Sequence, residues 1–157
     1  MTRTLADLLK EARAKIERLS ARQAFEAAEN GALIVDVRAE RDRDRSGVVP
    51  GSIHIPLSVL EWRVAPDSAW RNPHVGAVDT RLVLLCEQGF SSSLAAATLV
   101  DLGLDAADVV GGFEAWRADG LPTVTSSDER GASELAGMGG PAGPVSADLA
   151  DSNLQPR

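Results

Sequence analysis

Leu5, Leu8, Leu9, Ala12 and Ile16 punctuate an otherwise charged N-terminal stretch. Spacings of i, i+3, i+4, i+7 and i+11 place them on one face of an α-helix. The pattern predicts a helix over residues 1–15, followed by a short strand at 16–19. We expect this helix to be an extension packed on the domain that follows, with a dimerising helix as the sharper alternative. Ser20 then reads as an N-cap for a helix over Ala21–Glu29, which Asn30-Gly31 closes.

The next signals are continuous rather than periodic. The run from Ala32 to Val37 and the run from Arg81 to Leu85 are almost wholly apolar, as suits strands covered on both faces. Between them, Val49-Pro50-Gly51-Ser52 marks a turn, Ile53-His54-Ile55 a short strand ended by Pro56, and 57–64 a helix. The dense charge of 39–46 predicts a solvated loop or helical turn, and 66–80 a long surface loop. Good helix formers fill 92–102 ahead of Gly103, a last short strand follows at 107–110, and a short helix at 113–119 stops at Gly120 and Pro122. Strands alternating with helices imply an α/β fold with a mostly parallel sheet flanked by helices on both faces.

The pattern fades near residue 126. Residues 126–157 contain no aromatics, are rich in Gly, Ala, Ser and Pro, and carry a net charge of −3. Such a segment buries too little surface to offset its ordering entropy and is predicted to be a disordered tail. The organisation is therefore a helical extension (1–15), one domain (16–125) and a tail (126–157).

Composition narrows the class. A net charge of −7 argues against nucleic acid or an anionic membrane surface as the main partner. No apolar run approaches the ~18 residues of a membrane span. The N-terminus lacks the apolar core of a secretory signal, so the cytoplasm is the expected compartment. Fourteen arginines against two lysines, with many alanines, suggest a GC-rich bacterial gene. One cysteine excludes an internal disulfide. Two distant histidines, His54 and His74, with no further Cys give no zinc site, so no metal or organic cofactor is expected.

The candidate chemistry lies at Cys86-Glu87-Gln88-Gly89-Phe90-Ser91-Ser92-Ser93, where a buried strand passes through a short loop into a helix. Residues just beyond the carboxyl end of a parallel strand form the usual crevice of an open α/β sheet. A helix beginning at Ser92 offers unsatisfied N–H groups and the positive end of its dipole. A thiol there ionises more readily, and the thiolate is its reactive form. Gly89 lets the loop curl so that amides converge, and Ser91, Ser92 and Ser93 add hydroxyl donors. The same segment is also compatible with a buried structural cysteine beside a serine-capped helix.

Four separated segments together resemble the rhodanese-like family. Leu33-Ile34-Val35-Asp36-Val37-Arg38 is similar to that family's "DVR" strand. The run from Gly47 to Leu57 resembles its "GHIPGAxNIPL" segment. Cys86-Glu87-Gln88-Gly89-Phe90-Ser91-Ser92 resembles its "CxxGxRS" loop, and Val110-Gly111-Gly112-Phe113-Glu114-Ala115-Trp116 with Gly120-Leu121-Pro122 its closing "GGxxAW…GLP" signature. The resemblance covers residues 16–124. It implies a five-stranded, mainly parallel sheet and sulfur transfer through a persulfide on Cys86, with Glu87, Gln88, Gly89, Phe90, Ser91 and Ser92 binding the donor. Asp36 and Arg38 are expected to brace neighbouring loops, and Trp116 to pack the last helix on the sheet.

The sequence departs from the family pattern at three places. Val48 replaces a common, non-catalytic histidine. Ser91 stands where arginine is common, and Glu87 where a basic residue often sits. The last two changes remove positive charge near the thiolate. They predict weaker use of thiosulfate, a dianion, than of a low-molecular-weight persulfide. Arg63, in Leu60-Glu61-Trp62-Arg63, is the candidate replacement cation.

Three functions follow as alternatives. The first is a sulfurtransferase passing sulfane sulfur from thiosulfate or a small persulfide to a thiol or cyanide, with a protein acceptor also possible. The second is a sulfur-carrier or regulatory module that binds a protein without turnover. The third, a phosphatase, needs an arginine six residues after the cysteine to grip phosphate bidentately, and that residue is Ser92.

Overall fold

The computed structural model describes residues 2–128. Five parallel strands form one sheet in the order β1-β5-β4-β2-β3. They are β1 (Glu17–Leu19), β2 (Leu33–Asp36), β3 (Ile53–His54), β4 (Leu82–Leu85) and β5 (Ala106–Val109). Among the described residues, the helices that accompany them include α1 (Leu5–Lys15), α2 (Ala21–Glu29), α3 (Glu40–Ser46), α4 (Leu60–Val64), α5 (Ser91–Asp101) and α6 (Gly112–Ala118). Two single 3₁₀ turns lie at Leu57–Val59 and Pro73–Val75.

The apolar runs form the two central strands for the reason the sequence suggests. Successive side chains of a strand point to opposite faces, and here both faces are covered. Val35, Leu82, Leu84 and Cys86 pack with Ala95, Ala96 and Leu99 of α5 and with Leu60 and Val64 of α4. Ile34, Val83 and Leu85 pack on the other face with Ala24 of α2 and with Phe113 and Trp116 of α6. Leu84 and Leu85 are fully buried, and each contributes about 1.5–3 kcal/mol by leaving water. Trp116 fastens the last helix as expected. Its indole N–H donates to the Pro122 carbonyl at 2.8 Å, and its ring meets Phe25 edge-on at 5.9 Å.

The helix starts are chemically specified. Ser20 caps α2 by accepting from Gln23 N–H, while Gln23 reaches back to the Ser20 N–H. Thr4 and Asp7 form the same reciprocal box on α1. Helix α1 packs on α5 and is joined to it by the Lys15–Asp101 ion pair at 2.9 Å.

One expectation is corrected in part. Of the solvated loop or helical turn expected over 39–46, the structure shows the helical form, α3, but it is not wholly solvated: Arg43 within it is only 2% exposed. Its Nε donates to the buried Asp36 carboxylate at 3.2 Å. Burying a guanidinium is tolerable only with such a partner. The start of the expected tail is also tied down: Ser126 is buried and its hydroxyl donates to Asp44. Residues 129–157 lie outside those described.

Candidate active site

The strand order fixes where the site lies. From β2 the chain moves outward to β3, whereas from β4 it moves the other way to β5. β2 and β4 are neighbours, with Asp36 beside Leu85. The loops leaving their carboxyl ends therefore diverge and open a crevice between them. Val37, Arg38 and Ala39 line it from β2; Cys86, Glu87 and Ser91 line it from β4; Pro56, Leu57 and Ser58 line it from beyond β3, and Asp42 from α3. The cavity measures about 390 Å³.

Cys86 is 5% exposed, with a curled loop around its sulfur. The Gly89 N–H donates to Sγ at 3.1 Å, and the Ser92 hydroxyl lies 3.2 Å away. Burial pushes the thiol's pKa up. The Ser92 and Ser91 hydroxyls and the Ser92 and Gly89 amides more than offset it, and the net shift is downward. Helix α5, which supplies the Ser92 amide, begins at Ser91, and Gly89 belongs to the loop before it.

Two glycines allow the curl. Gly89 has φ +83°, and a Cβ there would meet Gly111 N at 2.7 Å and Val109 O at 2.9 Å. Gly112 has φ +59°, and its Cβ would meet the Cys86 carbonyl at 2.4 Å. This contact explains the Gly-Gly turn before α6. It lets the Phe113 N–H donate to the Cys86 carbonyl at 2.8 Å and the Glu114 N–H to the Glu87 carbonyl at 3.1 Å.

Arg38 is the hub of the crevice. It donates to Asp36 from Nε at 3.0 Å and Nη2 at 2.8 Å, to the Gly47 carbonyl at 2.8 Å, and to Glu87 Oε2 at 3.0 Å. Its guanidinium lies 4.1 Å from the centre of the Phe113 ring. Asp36 and Arg38 thus brace the loops, as expected. The Arg38 contact also changes the reading of Glu87, whose charge is paired rather than free.

The remaining predicted residues divide. Gln88 is exposed and donates to Glu114 at 3.3 Å. Phe90 is 55% exposed, with the Arg13 guanidinium 5.7 Å from its ring centre. Arg63 is not brought to the cavity. Its Nη1 donates to the Trp70 carbonyl at 3.0 Å, and it does not line the crevice at Cys86. α4 leaves β3 on the face that carries Leu60 and Val64 into the core, which turns Arg63 toward the following loop.

Sequence reasoning missed three residues behind the loop. Arg13 of α1 and Arg18 of β1 both donate to the Gly89 carbonyl, at 3.0 and 2.8 Å. Asp108 of β5 accepts from the Ser92 and Ser93 hydroxyls at 2.8 and 2.9 Å. A charge inside the apolar run of β5 was the available signal.

A profile of the rhodanese-like domain matches residues 18–119. The chain belongs to the rhodanese-like domain family. A thiosulfate sulfurtransferase GlpE of Pseudomonas aeruginosa is 36% identical over 115 residues, 72% of this chain and 94% of the relative. A Rhodopseudomonas palustris protein of unknown function, named a possible tyrosine phosphatase, superposes with a TM-score of 0.72 at 36% identity, over 79% of this chain and 96% of the other. A rhodanese-related protein of Thermoplasma volcanium superposes with a TM-score of 0.53 at 28% identity, over 69% and 97%. The chain is a rhodanese-like sulfurtransferase. Among the described residues, no helix is long and apolar enough to cross a membrane, and no cluster of His, Cys, Asp and Glu is arranged to hold a metal ion.

Proposed function

We propose that this chain moves sulfane sulfur through a Cys86 persulfide, from thiosulfate or a low-molecular-weight persulfide to a thiol or cyanide. The observation that carries this reading is the Cys86 sulfur at the floor of an open crevice, held by the Gly89 N–H at 3.1 Å, with its pKa shifted below the ordinary thiol value. In the first half-reaction the thiolate attacks the donor's sulfane sulfur. A Cys–S–S bond forms, the donor's S–S bond breaks, and its electron pair leaves on sulfite or on the donor's thiolate. In the second half-reaction the acceptor attacks the terminal sulfur and Cys86 departs as thiolate. Loop amides and hydroxyls stabilise the anion at each stage. Phosphate transfer is not favoured, because Ser92 stands where that chemistry requires an arginine.

The test is mass spectrometry after incubation with a sulfane donor. A gain of about 32 Da on Cys86, one sulfur atom, is expected. Absence of the adduct with every donor class would remove this reading. Release of that sulfur to a thiol or cyanide over many cycles separates the enzyme from a carrier.

Donor choice gives a second prediction. Glu87 lines the crevice and its side chain is about a quarter exposed. Arg38 offsets its charge, so its repulsion of a dianion is weaker than the sequence suggests. Glu87→Gln should raise kcat/KM for thiosulfate by up to about tenfold and leave a neutral donor unchanged. Arg63→Ala should leave turnover within about twofold for all donors, since Arg63 holds a loop carbonyl. A tenfold loss in Arg63→Ala, confined to anionic donors, would instead place that arginine at the substrate.

A further inference from the structure

The sulfur chemistry above makes no use of Asp108. This carboxylate has no exposed side-chain surface, and it interrupts a strand otherwise made of Ala106, Ala107 and Val109. A buried charge is expensive unless fully partnered, and Asp108 is. Arg18 of β1 is its register partner and donates to it from Nε at 2.8 Å and Nη2 at 3.2 Å. Ser93 donates at 2.9 Å and Ser92 at 2.8 Å.

Ser92 is the joint between this pair and the reactive sulfur. Its Oγ lies 2.8 Å from Asp108 Oδ2 and 3.2 Å from Cys86 Sγ. A hydroxyl has one proton and two lone pairs. While Cys86 is a thiol, its S–H donates to Ser92, and Ser92 gives its own proton to Asp108. When Cys86 ionises, the sulfur becomes an acceptor, and the Ser92 proton must turn toward it. Asp108 then keeps Ser93 and Arg18.

We propose that Asp108, held by Arg18, is a positioning residue that competes with the Cys86 thiolate for the Ser92 hydroxyl proton and so sets the ionisation of the nucleophile. The proposal rests on the reading of Cys86 as the sulfur-carrying nucleophile. Without the competitor, the thiolate is more stable and less nucleophilic, because thiolate reactivity falls with basicity. Other charged groups also face this region and stay constant in the test. They are Arg13 on α1, Asp36 and Arg38 at the end of β2, Asp42 on α3, Glu87 in the loop and Glu114 on α6.

The experiment follows alkylation of Cys86 by iodoacetamide against pH, in the full chain with no sulfur donor present. It therefore reports on the thiolate even if persulfide formation fails. Asp108→Asn should lower the titration midpoint by at least about half a pH unit. Ser92→Ala should raise it, and Ser92→Thr, which keeps the hydroxyl, should restore it. In the Ser92→Ala background the Asp108→Asn shift should fall by at least half, since the connecting proton is gone. An unmoved midpoint in folded Asp108→Asn would overturn the proposal. So would a shift that persists undiminished without the Ser92 hydroxyl, because Asp108 would then act as a distant charge. If Asp108→Asn does not fold, the Ser92 pair decides: a midpoint unchanged in Ser92→Ala also overturns it.

Discussion

Cys86→Ser is expected to abolish sulfur transfer while leaving the fold in place. The chain has one thiol, so no second sulfur can take over. A serine hydroxyl is un-ionised at neutral pH, and an alcohol cannot hold sulfane sulfur as a persulfide. Turnover should fall to the uncatalysed background, a loss on the order of 10⁴-fold or more, as when other nucleophilic enzymes lose their nucleophile. Stability should change little. The substitution is nearly isosteric, and the Gly89 N–H and Ser92 hydroxyl that now meet the sulfur can meet an oxygen. Circular dichroism and thermal unfolding check the fold, and steady-state sulfur transfer checks the loss. Turnover within tenfold of wild type in a folded variant would move the chemistry away from Cys86.

Most of the scaffold was legible because burial on both faces writes itself as unbroken apolar runs. The runs at 32–37 and 81–85 became β2 and β4. Ser20 announced α2 through its capping chemistry. Cys86 was placed because the end of a buried strand is a defined location. What stayed hidden depends on partners distant in the chain. Glu87 reads as a free negative charge until Arg38, 49 residues earlier, is seen to hold it. Charge density made 39–46 look solvated, although Asp36 draws Arg43 inside. Arg63 looked available because sequence order does not reveal which way a short helix turns its side chains. Arg18 and Asp108 meet only through the parallel pairing of β1 with β5, across 90 residues. A pattern read within short windows carries no information about that pairing.

Arg38→Met should be the most destabilising single change in the crevice. The Arg38 side chain is essentially fully buried and satisfies Asp36, Glu87 and the Gly47 carbonyl together. Methionine keeps much of the volume and supplies no donor. Asp36 then retains the 3.2 Å bond from Arg43 and the Arg38 backbone N–H at 3.1 Å, but it loses two charge-assisted bonds. Removing one partner of a buried pair costs about 3–5 kcal/mol, a large part of the ~5–15 kcal/mol that holds a domain together. For a domain of this size that is a fall in Tm of roughly 10–20 °C. Arg38→Lys should recover only a fraction, since a single ammonium cannot span three acceptors in different directions. The same substitution also releases Glu87 beside Cys86, so KM for anionic donors should rise. Adding Glu87→Gln separates the two roles: KM should recover while Tm stays low, because Asp36 remains short of its partner. A Tm within about 2 °C of wild type in Arg38→Met would show that Arg43 and the residue-38 backbone N–H suffice to hold Asp36.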